Sequence, residues 1–193
     1  MSDQRSLNRR TLLRSSAVAS GALVIGTQMM NGSATALEQS VQQAASVLQA
    51  MPATVQNTQS SLYSATNNTY GTQSSSGSYT HCAVVFTAPE TGRVIIQWSG
   101  GVRNIASGSS PVAYLSPEVR AGGTVGSGTV VLGSNDARSV RTNLAGSATV
   151  RAGAAHLLAG LVPGNSYNAR ILHRVTSQTG EFFQRGLIVA PAT

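Results

Sequence analysis

The sequence predicts a mainly β protein: a C-terminal antiparallel β-sandwich of about eight strands, immunoglobulin-like or jelly-roll, preceded by a helical segment and a polar linker. Three observations carry this expectation. Only 10% of the 193 residues are charged, 20 are Gly, and Ser, Thr, Ala and Val are abundant, which is the composition of short strands joined by small-residue turns. From residue 81 onward the apolar residues alternate with a period of two. Turn-forming clusters such as "APETG" and "VPGNS" then cut the alternating region into short runs. The length admits one ordinary domain with an appendage.

Residues 1–51 read as a helical anchor. Leu23, Thr27, Met30, Ala34, Leu37, Val41, Ala44, Leu48, Met51 and Val55 recur in alternating steps of four and three, the spacing of a coiled-coil seam, although Pro52 ends any continuous helix. Leu37, Val41, Ala44, Leu48 and Met51 are its strongest stretch, and they predict self-association. A second reading uses the same residues. Arg9 and Arg10 precede "TLLR" and the mildly apolar "AVASGALVIG", and "ATA" at 34–36 has the small-x-small form of a cleavage site. On that reading the chain is exported by the twin-arginine route and cut near Ala36. The seam register runs through the proposed cut, which favours a retained anchor whose arginines contact an acidic surface.

Residues 52–80 read as a polar linker that opens on the helix-breaking Pro52. Val55, Leu62, Tyr63 and Tyr70 are spaced along it, so both disorder and extended packing against a neighbour are open. Residues 81–193 read as the sandwich. "CAVVF" and "RVIIQW" are expected as hairpin partners across "APETG", and six further runs supply the remaining strands.

In "LLAGLVPGNSYNARI" a Tyr follows a Pro–Gly turn and begins a strand. This resembles the turn before a late strand of fibronectin type III and immunoglobulin-like domains. There the ring enters the core while the hydroxyl bonds back to the turn backbone. Tyr167 is therefore expected as core, as is Trp98 at the end of "VIIQW".

The formal charge is +7, with 13 basic residues that are all Arg. Four fall in the first fourteen residues and nine are scattered from Arg93 to Arg185. Such scattering, without interleaved aromatics, argues for solvated strand faces and against a nucleic-acid partner. The one cysteine, Cys82, cannot form an internal disulfide, and its alternating position makes it a small core hydrophobe. No run is long and apolar enough for a permanent membrane span.

Catalytic patterns are sparse. Glu90, Glu118, Asp136 and Glu181 stand apart along the β region, whereas glycoside hydrolysis needs two carboxylates about one bond. His81, His156 and His173 lack metal-type spacing. No GxSxG elbow occurs, and the Gly-rich stretch at 122–128 lacks the Lys of a phosphate loop. The chain is therefore expected not to be an enzyme and to need no cofactor or metal. Recognition is assigned instead to loops. Within 100–111 and 133–148, Arg103, Asn104, Asn135, Arg138, Arg141 and Asn143 are candidate surface-binding residues, able to hydrogen-bond sugar hydroxyls or anionic polymers.

The succession "GALVIGTQMMNGSATALEQ", "AVVFTAPETGRVIIQWSGGVRN", "YLSPEVRAGGTVGSGTVVLGSNDARSVRT" and "AGAAHLLAGLVPGNSYNARILHRVTSQTGEFFQRGLIVAPAT" resembles minor structural proteins of actinobacterial tailed phages. The resemblance implies an anchor joined to other virion proteins, an exposed trimeric sandwich on a tail or head, and a host cell-envelope glycan as candidate ligand. Virion localisation is the expectation; a secreted, extracytoplasmic binding protein is the alternative.

Overall fold

The computed structural model describes residues 39–42, 52–76, 79–105, 112–142 and 148–193. Residues 39–42 are helical and Val41 is exposed. Leu37, Ala44, Leu48 and Met51, the rest of the seam's strongest stretch, lie outside the described residues, as does Asn143. Among the described residues no helix is long and apolar enough to cross a membrane.

Ten strands build two antiparallel sheets. They are β1 Val55–Gln59, β2 Tyr63–Ala65, β3 Ala83–Thr87, β4 Val94–Asn104, β5 Ala113–Ala121, β6 Val130–Leu132, β7 Val140–Thr142, β8 Thr149–Leu158, β9 Ser166–Val175 and β10 Gly180–Pro191. The first sheet has the order β1-β10-β4-β8, with β2 also on β10. The second has the order β3-β9-β5-β6, with β7 also on β5. Treating β1 with β2, and β6 with β7, as interrupted single strands leaves eight positions. Every connection except the one from β5 to β6 then crosses between sheets, which is the double Greek key of a jelly roll. Of the two expected architectures the jelly roll is therefore the one formed.

The alternation that predicts strands also explains the core. Along β4, Val94, Ile96, Trp98 and Val102 are buried while Gln97 and Ser99 are exposed. Along β9, Tyr167, Ala169, Ile171 and Val175 meet Val84 and Phe86 from β3 and Leu115 and Val119 from β5 in one cluster. Trp98 and Tyr167 both belong to it, 3% and 5% exposed. Tyr167 stacks on Phe86 with centroids 5.7 Å apart, and its hydroxyl accepts the backbone N–H of Val162 at 2.9 Å. The resemblance to the Tyr-bearing turn is realised in its hydrogen bond, although the strand order is not that of an immunoglobulin domain.

The expected hairpin of 82–86 with 93–98 does not form. β3 pairs with β9, and β4 pairs with β10 and β8. Both runs carry a fully apolar inward face, so each must lie over the same core from opposite sides. The turn between them, with Gly92 at φ +62° and its N–H on Pro89 O at 2.8 Å, arches from one sheet to the other.

The stretch expected as a linker supplies strands to the sandwich, which therefore begins before residue 81. β1 pairs with Val189 to Arg185 of β10, and β2 with Phe182 to Gly180. Residues 67–71 then cross to the other sheet and take the edge of β9 that β3 leaves free: Val175 N–H donates to Asn67 O at 2.9 Å, and Gly71 and His173 exchange backbone bonds at 3.0 and 3.1 Å. A composition rich in Ser, Thr and Asn still makes a strand when its backbone completes a ladder and its few aromatics enter a core.

A β-bulge sets the chemistry of that core end. The β10–β4 register shifts between Phe183 and Gly186, with Gln184 at φ +47°. One extra residue reverses the alternation, so Phe182 and Arg185, three apart, both point inward. Arg185 is 1% exposed. Its guanidinium lies 4.6 Å from the centroid of Tyr63 and 5.2 Å from that of Tyr79, and Nη1 donates to Thr80 O at 3.0 Å. Among the described residues its Nε and Nη2 have no hydrogen-bond partner. Gly100 makes the room: a Cβ there would fall 2.4 Å from Leu115 Cδ1 and 3.5 Å from Arg185 Cγ.

His173 stands beside this cation. Its Nε2 is 2.7 Å from Gln73 O, so that nitrogen must carry the proton, and Nδ1 accepts the Tyr63 hydroxyl at 2.8 Å. Burial pushes its pKa down to about 4; the bond to Gln73 opposes the shift, and Arg185 adds to it. Burial likewise raises the Cys82 thiol to about 11, consistent with an inert core position.

Two predictions follow from this packing. Tyr167→Phe keeps the ring and loses the bond to Val162, costing about 1 kcal/mol. Tyr167→Ala also opens a cavity and costs about 3–5 kcal/mol; urea unfolding of the two variants gives the ratio, and equal losses would contradict it. His173 has a lower pKa folded than unfolded, so its contribution is complete above pH 6.5 and is lost as pH falls through about 4. The loss is on the order of 3 kcal/mol in full. His173→Gln should flatten the stability profile between pH 6.5 and 4.5, before the carboxylates titrate.

Candidate functional site

The two sheets differ on their outer faces. The outer side of β5 is covered: the connection after β6 places Ser134 Oγ on Ser116 O and Pro117 O at 3.3 and 3.0 Å, and Asn135 N–H on Ser116 Oγ at 3.1 Å. The neighbouring side chains close into ion pairs. Glu118 Oε1 accepts from Arg120 Nε at 2.7 Å and from Arg170 Nε at 2.8 Å. Burial acts to raise the Glu118 pKa, but the two guanidiniums prevail and hold it below the usual carboxylate range. Asp136 is held low chiefly by its ion pair with Arg174, and it also accepts the Tyr70 hydroxyl at 3.0 Å. Arg174 in turn lies 4.3 Å from the Tyr114 ring centroid. These charges hold connections in place and are already paired.

Most of the sequence-predicted binding residues are used in the same way. Residues 100–104, expected as loop, continue β4. Arg103 is ion-paired with Glu181 across the β4–β10 ladder, and Asn104 is buried opposite Gly180. Asn135 caps the single 3₁₀ turn, Asp136–Arg138, by accepting Arg138 N–H at 2.9 Å. Arg138 Nη2 donates to Gly133 O at 2.6 Å. Arg141 is exposed on β7, opposite Tyr114 in the register.

The outer face of the other sheet is open and holds a trough of about 510 Å³. Its geometry follows from two rows of the ladder. Gln56, Ile188, Gln97 and Ala155 lie opposite one another across β1, β10, β4 and β8, and Thr58, Gly186, Ser99 and Gly153 form the next row. Gly186 and Gly153 keep the floor low; a Cβ on Gly186 would come within 3.0 Å of Ser99 Oγ. The walls are two amides, two hydroxyls and the Ile188 side chain. Among the described residues no charged side chain lines the trough.

This arrangement suits a neutral polyhydroxyl ligand. Each amide offers two donors and an acceptor, each hydroxyl can donate and accept, and Ile188 offers an apolar patch for ring C–H groups. An ion would find no countercharge there. The volume falls within the range of small-ligand sites.

The sequence reading did not single out these residues. Gln97 and Ser99 are legible as the outward set of β4, because they alternate with Ile96 and Trp98. Gln56 and Thr58 lie in the expected linker, and the strand order that brings them beside β4 residues is decided by pairings such as Val55 with Val189 and Val94 with Pro191, far apart in sequence.

No family model matches the chain, and no curated protein matches it. Among solved structures it is similar to one described as "Structure of infectious bursal disease virus Gx strain", with a TM-score of 0.43 and 10% sequence identity. The alignment covers 72% of this chain and 33% of that one, so this chain spans about a third of that chain's length.

Proposed function

We propose that the chain is a structural accessory protein of a virus particle, of the kind carried by tailed phages of actinobacteria. Its N-terminal segment would join other virion proteins and its jelly roll would be displayed for decoration or host contact. The observation that carries the reading is the sheet order. Jelly rolls serve widely as capsid and lectin domains, and here the outer side of one sheet is covered while the other presents an open face that holds an uncharged trough. A fold alone hosts many functions, so the trough supplies the more specific part: contact with a neutral glycan of the host envelope. Several copies in one assembly would strengthen a weak single-site contact through effective concentration. Trimeric assembly through the seam that includes Val41 belongs to the same proposal.

The alternative is an exported binding protein cut near Ala36. Intact-mass measurement of the natural protein separates the two. Retention of residues from Ser2 onward is the expected result, and a mature chain starting at Leu37 would overturn the virion reading.

Glycan contact has its own test. Titration with neutral oligosaccharides should shift the amide resonances of Gly153 and Ala155. Gln56→Ala combined with Gln97→Ala should weaken that binding about tenfold or more, as expected from two lost hydrogen bonds of about 1 kcal/mol each. Both side chains are exposed, so the melting temperature should hold. Unchanged affinity in the double variant would remove the trough from the account.

A further inference from the structure

Three of the four sheet margins are short. β1 has five residues and β2 three on one side of the first sheet; β3 has five, and β6 and β7 three each, on the second. The fourth margin is β8, ten residues long, paired with β4 on one side and with no strand on the other among the described residues. Short edges are a common protection against strand-to-strand association. β8 lacks that protection and, among the described residues, several of the others. It contains no Pro and no Lys, its register with β4 runs without a bulge from Leu158 to Thr149, and Arg151 is its one charged residue apart from His156.

The middle of its inward-facing side is also uncovered. Val150, Ala152, Ala154, His156 and Leu158 lie on the face shared with Val94, Ile96 and Trp98, yet Ala152 and Ala154 are exposed. The first sheet therefore overhangs the second, leaving small apolar side chains open along a free ladder edge.

We propose that β8 pairs antiparallel with β8 of a second copy, about a two-fold axis through Ala154, to make one continuous eight-position sheet. The sequence of the strand selects this partner and this register. With Ala154 opposite itself, Gly153 faces Ala155, Ala152 faces His156, Arg151 faces Leu157 and Val150 faces Leu158 of the second copy. Each pair lies on one face of the joined sheet, so the open Ala152 and Ala154 of both copies form one seam. The arginine stem covers the exposed Leu157, 46% accessible in the single chain. The two Arg151 charges stand six positions apart along the strand, about 20 Å. A shift by one residue would set Arg151 against His156 and turn each inner face outward, which disfavours it. This contact is independent of the glycan reading and of the helical seam.

Single-cysteine variants of the full chain, made in a Cys82→Ala background, test the register under mild oxidation. Ala154→Cys should give a disulfide-linked dimer. Arg151→Cys and Leu157→Cys should each give little alone, but an equimolar mixture of the two should cross-link. Sedimentation velocity at rising concentration should show association that Ala154→Lys weakens about tenfold or more, because it sets two ammonium groups against each other. A single species of one-chain mass at every concentration overturns the proposal. So does association that Ala154→Lys leaves unchanged, which would place it in the helical seam or on another surface. Cross-linking at Ala154→Cys no faster than at Arg151→Cys alone overturns it as well.

Discussion

The inward turn of Arg185 is the constraint on which the rest of this structure depends. A guanidinium removed from water without a carboxylate is costly unless its surroundings replace hydration. Here the replacement comes from the faces of Tyr63 and Tyr79 and from Thr80 O, all contributed by 63–80. The bulge at Gln184 creates the need and the preceding segment meets it. That reciprocity explains why a polar, low-complexity stretch is ordered at all. Its own apolar content is too small to fold alone, but two tyrosines closing over a cation, each ring contact contributing about 1–2 kcal/mol when desolvated, fix it at the end of the sandwich.

The same residues connect the two sheets. Tyr63 belongs to β2 in the first sheet, and its hydroxyl bonds to His173 in the second. Gln73 holds the other ring nitrogen, while 67–71 borders β9 along its free edge. One imidazole thus fastens a strand and a connection, and it can do so only while neutral, because the Tyr63 hydroxyl donates to the unprotonated Nδ1. The acid sensitivity of this region and the docking of 63–80 have a single origin. Ring packing around His173 adds Phe182 and Tyr79 to the same group, at centroid distances of 4.9 and 5.7 Å.

Sequence patterning made the sandwich legible wherever side chains alternate without interruption. β9, and β4 before Gly100, are legible residue by residue, and Trp98 and Tyr167 are legible as core through the resemblance of their surroundings to immunoglobulin-like domains. Pairing was less legible. The arch at Pro89–Gly92 resembles a hairpin turn in its residues, and only the shared core on both sides of it forces the strands apart. Arg185 reads as one more surface arginine, because the bulge that inverts its direction is carried by Gln184, a residue with no special turn propensity. For the candidate site the outward residues of a single strand were available to inspection. A trough spanning four strands depends on long-range register, which composition and periodicity do not encode.

The unequal cover of the two sheets ties these observations to function. Asn135 and Arg138 look like recognition groups in a linear reading, being polar or charged and set near Gly-rich turns. In the fold they are partners for backbone carbonyls and for one another, and a group with its hydrogen bonds already made has little left for a ligand. Gln56, Thr58, Gln97 and Ser99 sit instead on the outer side of the ladder with their side chains exposed. Recognition on such a surface is set by the spacing of strands, about 4.8 Å, more than by loop conformation. A ligand matched to that repeat would lie across the strands, with hydroxyl groups meeting successive rows, and extension of the sheet through β8 would lengthen the same surface while adding the Arg151 and Leu157 pairs beside the junction.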